Sequence, residues 1–374
     1  MTKEQQEKID ANDAKQETRR GGCALFKSRS TKSKSTLKIA LTLGKITIFA
    51  LIVLWISRQL QKSWVEASQY EWRPQYSWLA ASGVFYLLAF FPSAIFWFLS
   101  LRWFGQKPKL GRSISAFYYS QLGKYVPGKA LVVVIRSALV ASTDVRASVA
   151  AVCVFYETLT MMGTGAFIAA LIVLCQFRTH YLLSVAALAT AACSIVPLFP
   201  PVMRKALKIL RVGANDPAVE ESLKRLKFRS LGLGVVLMTI LWLFFGLSLW
   251  AAIRSLGLPS PPSLLEIPRY VATTALAMTL GFAVPIAPGG LGIREAVLSV
   301  LLTPYFSEIL ARPENLSFAI EPEALSALVS IIQRIVSIIA EVGIVALFWI
   351  GDAPRKFMGR RENLQDDARS NLKS

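Results

Sequence analysis

The chain has 374 residues, 54% hydrophobic and 17% charged, with a formal net charge of +19 at pH 7. A soluble domain averages roughly 25% charged residues, so this composition, laid out in long apolar runs, excludes an ordinary soluble protein and predicts a polytopic membrane protein. The lysine and arginine surplus gathers in tails and connecting loops, as cytoplasmic segments facing anionic headgroups do, and no nucleic-acid-binding motif accompanies it.

Residues 1–37 are polar, rich in Lys, Glu, Gln and Ser, and lack helical apolar periodicity. They read as a disordered basic cytoplasmic tail. No small-residue cleavage site closes the apolar run that follows, so a cleaved signal peptide is not expected. Ile39–Ile56 is the first predicted span, with Lys45 placed to snorkel from its cytoplasmic half. Trp78–Phe104 is the second, with Trp and Tyr near its ends as in interfacial belts. Arg102, Lys107, Lys109 and Arg112 then put that end in the cytoplasm.

Ser113–Val140 is moderately apolar, yet it holds Lys124, Lys129 and Arg136 around Val126-Pro127-Gly128. Both flanks are basic, which predicts two half-helices meeting at a Pro-Gly turn and entering from the cytoplasm. Ala147–Val173 is a full span carrying Glu157, and Tyr181–Val202 is the predicted return, ended by Pro197, Pro200 and Pro201. Arg204–Arg229 is the most basic internal loop, parts of it suited to an amphipathic helix on the bilayer surface. Leu231–Ile253 crosses outward again.

A Pro-rich loop, Leu258–Pro268, leads into the apolar region Val271–Leu302, and Thr303–Glu323 follows with Arg312 as its one base. Scarcity of basic residues fits an external loop. Within Val271–Leu302 lies Pro285-Ile286-Ala287-Pro288-Gly289-Gly290-Leu291-Gly292-Ile293-Arg294-Glu295. Two prolines and three glycines break any helix there. Broken backbone at membrane depth persists only where protein buries it or a watery cavity receives it. Charges at that depth cost roughly 2.5–3.5 kcal/mol each on insertion scales and usually mark a pathway or site. Leu325–Ile350 is the last predicted span, with Gln333, Arg334 and Glu341 inside it. The domain division is therefore a tail (1–37), a transmembrane domain (38–350) and a cytoplasmic tail (351–374).

The two broken segments echo one another. Pro127-Gly128-Lys129 precedes Ile135-Arg136-Ser137-Ala138; Pro288-Gly289-Gly290 precedes Ile293-Arg294-Glu295-Ala296. The Pro-to-Arg spacing differs by three residues. Together with the opposite predicted sides of entry, the echo predicts an inverted repeat whose discontinuous elements meet near the midplane, a recurring transporter plan. The fold expectation is an all-α transmembrane helix bundle with two re-entrant Pro-Gly-broken helical hairpins.

A half-helix beginning after either break would aim unpaired N–H groups at the apex, which favours anions, phosphate included. Lys124, Lys129, Arg136 and Arg294 add positive charge, and Arg can hold a phosphate with two hydrogen bonds. Glu157 and Glu295 can pair those bases or receive an amine. Arg294 and Glu295 are adjacent and cannot face each other on one helix, so Glu295 is expected to pair with another element. Arg334 and Glu341 share one face of the last span, either as helix-to-helix glue or as part of the site. The candidate lipid-headgroup residues are Lys124, Pro127, Gly128, Lys129, Arg136, Glu157, Pro288, Gly289, Gly290, Gly292, Arg294, Glu295 and Arg334. Cys23, Cys153, Cys175 and Cys193 are not spaced as zinc ligands, and His180 has no histidine partner, so neither metal nor cofactor is expected. A Walker A loop, a His-Glu-x-x-His and a Gly-x-Ser-x-Gly elbow are all absent from the sequence.

Gln121-Leu122-Gly123-Lys124-Tyr125-Val126-Pro127-Gly128-Lys129, Glu157 and Pro288-Gly289-Gly290-Leu291-Gly292-Ile293-Arg294-Glu295 resemble the transmembrane region of lysylphosphatidylglycerol synthase/flippases and their stand-alone relatives. The resemblance covers roughly Ile39–Ile350, and the Pro-Gly-Gly-x-Gly-x-Arg-Glu piece is its most specific part. It implies a bacterial or archaeal membrane protein that moves, or helps move, a lipid between leaflets. Fused members carry a separate cytosolic domain that makes the aminoacyl lipid; this chain departs from them by ending at a short tail. Aminoacyl transfer is therefore not expected, and the lipid need not be lysylphosphatidylglycerol. Some relatives are linked to polyprenyl-lipid glycosylation.

The leading expectation is a flippase-like transporter of an anionic or zwitterionic lipid in a prokaryotic plasma membrane, with both termini cytoplasmic. The alternatives are an enzyme or accessory factor in polyprenyl-linked glycan assembly, and a scaffold for lipid-synthesis proteins. The expected partners are membrane lipids, phospholipid or polyprenyl lipid, with a second copy of the chain or lipid-synthesis enzymes left open as protein partners.

Overall fold

In hydrocarbon every backbone N–H and C=O must find its partner within the protein, so apolar runs of this length fold as helices. The computed structural model describes residues 74–125, 130–176, 181–196, 199, 201–202, 204–205, 216–283, 290–315 and 320–371. The predicted tail 1–37 and the first predicted span lie outside the described residues. Among the described residues four helices are long and apolar enough to cross a membrane: Tyr76–Trp103, Ala147–Cys175, Phe228–Arg254 and Pro322–Ile350. No strand occurs among the described residues. The protein is an all-α, multi-pass membrane protein.

In chain order the helices are α1 (Tyr76–Trp103), α2 (Leu110–Gln121), α3 (Ala130–Val140), α4 (Ala147–Gln176) and α5 (Tyr181–Ile195). There follow α6 (Pro217–Lys224), α7 (Phe228–Arg254), α8 (Ile267–Ala283), α9 (Ile293–Leu310) and α10 (Pro322–Asn371). A 3-10 turn, Leu122–Tyr125, extends α2 toward the first break. The predicted spans at 78–104, 147–173 and 231–253 thus form helices with ends shifted by a few residues. The return predicted over 181–202 is helical over the 15 residues of α5, about 22 Å long. That is shorter than a hydrocarbon core of about 30 Å. The last helix does not stop at Ile350 but is continuous to Asn371.

α1 and α7 pack along one another at the centre, with α4 against both and α8 against α4 and α7. α9 lies between α8 and α10, and α10 returns to α1. Aromatic side chains fill the centre: Tyr86 and Phe90 of α1 meet Phe245 of α7 at ring-centroid distances of 5.4 and 5.3 Å. Small residues admit close helix contact, as is usual between membrane helices. A Cβ on Gly246 of α7 would stand 2.4 Å from Val271 Cγ2 and 3.0 Å from Val271 N of α8, so those two helices approach only because that side chain is missing.

Buried polar groups tie helices across the bundle. Ser82 Oγ donates to Ser248 O (2.8 Å), Ser248 Oγ to Ser82 O (2.9 Å), and Gln333 Nε2 to Ser248 Oγ (2.9 Å). This cluster joins α1, α7 and α10. Interhelical hydrogen bonds in membranes average about 0.6 kcal/mol, so it sets register more than it adds stability.

Within the basic loop 204–229, α6 covers Pro217–Lys224. Asp216 caps it, its carboxylate accepting from Ala218 N at 2.9 Å. Ser148 Oγ also donates to this carboxylate, and Arg146 lies 3.5 Å away. The Ser148 hydroxyl first, then the Ala218 N–H, hold the Asp216 carboxyl below its ordinary range. The contribution of this cap is present above the ordinary aspartate pKa and fades as pH falls through the depressed one.

Candidate functional site

Each break predicted from sequence is flanked by two helices that pack on one another. α2 and α3, of 12 and 11 residues, flank the first. α8 and α9, of 17 and 18 residues, flank the second. At 1.5 Å per residue the first pair measures about 17–18 Å and the second about 26 Å. The two pairs are unequal, and the echo in sequence gives no hint of that. The apices themselves, 126–129 and 284–289, lie outside the described residues, and with them Pro127, Gly128, Lys129, Pro288 and Gly289.

The chain on both sides of both breaks lines one cavity of about 330 Å³. Lys124 comes from before the first break, and Val132 and Arg136 from after it. Gly281 and Phe282 come from before the second break, and Gly290 and Arg294 from after it. Phe90 of α1, Glu157 and Met161 of α4 and Phe245 of α7 complete the walls. An apolar wall with a few convergent polar groups is the usual make-up of a small-ligand site, and this volume lies near the low end of that class.

Arg136 and Glu157 form a satisfied ion pair. Arg136 Nη1 lies 2.9 Å from Glu157 Oε2, with the two side chains 3% and 4% exposed. Arg136 Nε donates to Ser120 Oγ at 2.9 Å. Its guanidinium sits 4.1 Å from the Phe117 ring centroid and 5.5 Å from that of Trp97. Ser93 Oγ donates to the other oxygen of Glu157. Four helices thus converge on this pair: α1, α2, α3 and α4.

Lys124, in the 3-10 turn, pairs with Glu341 of α10. Tyr86 OH donates to Glu341 Oε1 at 2.5 Å, and Tyr125 OH to Glu341 Oε2 at 2.9 Å. Lys124 Nζ lies 5.5 Å from the Phe90 ring centroid and 5.4 Å from that of Tyr125. These rings support its charge from their faces.

At the second break Gly290 has φ 70° and Gly292 φ 87°, the left-handed region that glycine enters freely. They turn the chain into α9, where Glu295 reaches back to accept from Gly292 N at 2.6 Å. The other oxygen of Glu295 faces Arg334 Nε of α10 at 3.6 Å. Arg334 lies 5.3 Å from the Tyr125 ring centroid, so the two breaks share neighbours on α10. Glu295 does pair with another element, as adjacency to Arg294 required.

Arg294 is different. It is 5% exposed, lines the cavity, and its Nη2 has no hydrogen-bond partner among the described residues. Arg136 and Arg294, equivalent in the sequence echo, are therefore unequal in surroundings. One is held by a carboxylate; the other lines the cavity and forms no ion pair among the described residues.

Of the sequence-predicted residues, Lys124, Arg136, Glu157, Gly290 and Arg294 line the cavity; Gly292, Glu295 and Arg334 form the neighbouring turn and ion pair. Sequence reasoning left out Gln121 and Thr158 of the wall, and Tyr86, Tyr125 and Ser93 behind it. It placed Glu341 and Arg334 on one face of the last span without partners; in the structure Glu341 pairs with Lys124 and Arg334 faces Glu295. A glutamate deep in an apolar span was the available signal for Glu341. Among the described residues no group of three His, Cys, Asp or Glu side chains is placed to hold a metal ion.

A family model described as lysylphosphatidylglycerol synthase TM region matches residues 39–320, well over half of the chain. No curated protein and no solved structure matches it.

Proposed function

The chain belongs to the lysylphosphatidylglycerol synthase TM-region family, and from that premise we propose that it moves an anionic or zwitterionic lipid between leaflets, binding the headgroup in the cavity between the two breaks. The observation that carries this reading is that residues flanking both breaks, far apart in sequence, line one cavity with Lys124, Arg136 and Arg294 on its wall. Bringing a phosphate out of bulk water needs donors and positive charge already in place. The apolar remainder of the wall excludes water, and the acyl chains stay in the bilayer. Helices of the first pair, only 17–18 Å long by the rise of 1.5 Å per residue, support entry from one side without crossing. The rest of this reading is an inverted repeat of two re-entrant hairpins in a prokaryotic plasma membrane, with phospholipid or polyprenyl lipid as the cargo.

The test is transport by purified protein in liposomes carrying a fluorescent phosphatidylglycerol in both leaflets. A membrane-impermeant reductant quenches the outer leaflet only. Protein should render the inner pool accessible, taking the loss of signal beyond one leaflet. A trace superimposable on protein-free vesicles would reject lipid movement.

Orientation is a separate expectation, resting on the basic loops. In a version lacking native cysteines, Lys224→Cys should label only from the cytoplasmic side and Glu314→Cys only from outside; both positions are exposed. The reverse pattern would overturn the orientation while leaving the fold intact.

A further inference from the structure

The apolar span of α10 ends at Ile350, but the helix runs on through residues 351–371, about 31 Å farther. Contacts fix the end of the bundle at which this extension emerges. Glu341 pairs with Lys124, just past the end of α2, whereas Phe348 packs on Tyr118 and Tyr119 within α2, at ring-centroid distances of 5.7 and 6.2 Å. α10 therefore runs antiparallel to α2 and leaves the bundle where α2 begins. Arg102, Lys107, Lys109 and Arg112 are exposed at that end. Leu347, Trp349 and Ile350 are 67%, 66% and 62% exposed, as lipid-facing residues of a last membrane turn are, and a tryptophan there suits the headgroup level.

Beyond Ile350 the sequence changes character. Arg355, Lys356, Arg360 and Arg361 follow with no acid between 353 and 361. Four or more bases directly beside a membrane span are the composition that holds anionic headgroups. By helical register, Ala353, Phe357, Leu364 and Ala368 share one stripe, with Arg360 and Arg361 along its sides and Lys356 and Asp367 at its edge. Asp352, Glu362 and Asp366 share the opposite stripe. An apolar stripe edged by bases is the pattern of a helix lying in the headgroup plane. Upright, position 364 would stand about 21 Å beyond Ile350, more than two Debye lengths at physiological salt and out of reach of the leaflet's charge. Gly351 and Pro354 supply a place to bend, because proline has no N–H to give the carbonyl of Ile350 and helices kink there.

We propose that residues 351–371 form a second lipid site: the extension binds the anionic headgroups of the adjacent leaflet through Lys356, Arg360 and Arg361, bending at Gly351–Pro354 to lay the Phe357–Leu364 stripe on the membrane. This site is separate from the cavity and independent of what the cavity carries. Its occupant is the lipid surface because the basic segment begins where the apolar span stops, at the end of the bundle that already exposes bases beside α2. Headgroups held there anchor one end of the helix that carries Arg334 and Glu341 to the charge of the leaflet.

The experiment uses the full-length chain lacking native cysteines, with Leu364→Cys or Glu362→Cys carrying an environment-sensitive fluorophore. The protein is placed in nanodiscs of phosphatidylcholine alone or of phosphatidylcholine with phosphatidylglycerol, and quenching by aqueous acrylamide is measured. With phosphatidylglycerol the probe at 364 should shift to the blue and its quenching should fall several-fold, while the probe at 362 stays quenched. High salt should reverse the change, and the triple variant Lys356→Gln, Arg360→Gln, Arg361→Gln should abolish it. In phosphatidylcholine alone both positions should be quenched alike. Equal quenching at 362 and 364 in the presence of phosphatidylglycerol overturns the lying helix. Protection of 364 that is as strong in phosphatidylcholine, or that survives high salt, assigns it to a protein or purely apolar contact and overturns the anionic-lipid site. Protection retained by the triple variant overturns the role of the three bases.

Discussion

Glu157→Ala should lower stability by about 3–5 kcal/mol, the cost of leaving a buried ion pair with one partner missing. Its partner Arg136 is 2% exposed and packs against the rings of Phe117 and Trp97, so its charge stays largely desolvated when the carboxylate is lost. The loss should appear as a marked fall in thermal unfolding temperature in detergent. Arg136→Met in the same chain should restore most of it, because removing both charges is often neutral where removing one is not. The single variant Arg136→Met strands Glu157, 3% exposed, and should also destabilise. Wild-type stability in Glu157→Ala would mean that the pair holds nothing together. Failure of the double variant to recover would mean that the hydrogen bonds to Ser120 and Ser93, not the charges, carry the effect.

Gly290→Val should cut lipid movement by about tenfold or more, with membrane insertion unaffected. A β-branched residue at φ 70° carries backbone strain of order 1–3 kcal/mol. Its Cβ would also meet Gly281 C, Cα and O, each at 3.3 Å, with no flexible side chain there to yield. The turn must open, and Arg294, four residues on, moves with it. At 1.4 kcal/mol per tenfold the strain alone suffices for the effect. Gly232→Val, at an exposed position with nothing within 4 Å of an added Cβ, controls for the substitution itself. Equal transport by the two variants would show that the turn can rearrange without cost to the cavity.

The sequence exposes what is expensive in a membrane. Prolines and glycines at depth, and charges beside them, are visible without coordinates because each violates what hydrocarbon tolerates. So the bundle, the breaks and most of the charged wall were legible. Partner choice was not. Lys124 and Glu341 are 217 residues apart, and no local rule connects them. Spacing put Arg334 and Glu341 on one helix face, since seven residues return to it, without saying what either meets. In the structure that face meets two different neighbours, Glu295 and Lys124. The likeness of Arg136 and Arg294 put both on the cavity wall, where both stand, but position after a break is written in the chain, whereas the carboxylate that neutralises Arg136 arrives on α4. The aromatic residues behind the wall, Tyr86 above all, looked like any other apolar span content, because a hydroxyl's partner across a bundle leaves no local trace.

α10 carries a mechanical consequence. Its Arg334 and Glu341 stand two turns apart, about 10 Å along a helix that cannot stretch between them. Glu341 grips Lys124 and Tyr125 just before the first break, and Arg334 grips the carboxylate that ties the second break into its turn. The helix is a tie rod with a fixed distance between its two fastenings. A slide or roll of α10 must pull on both jaws of the cavity in the same stroke, and neither jaw can shift alone without first letting go of the rod. The two breaks are thereby made into one degree of freedom.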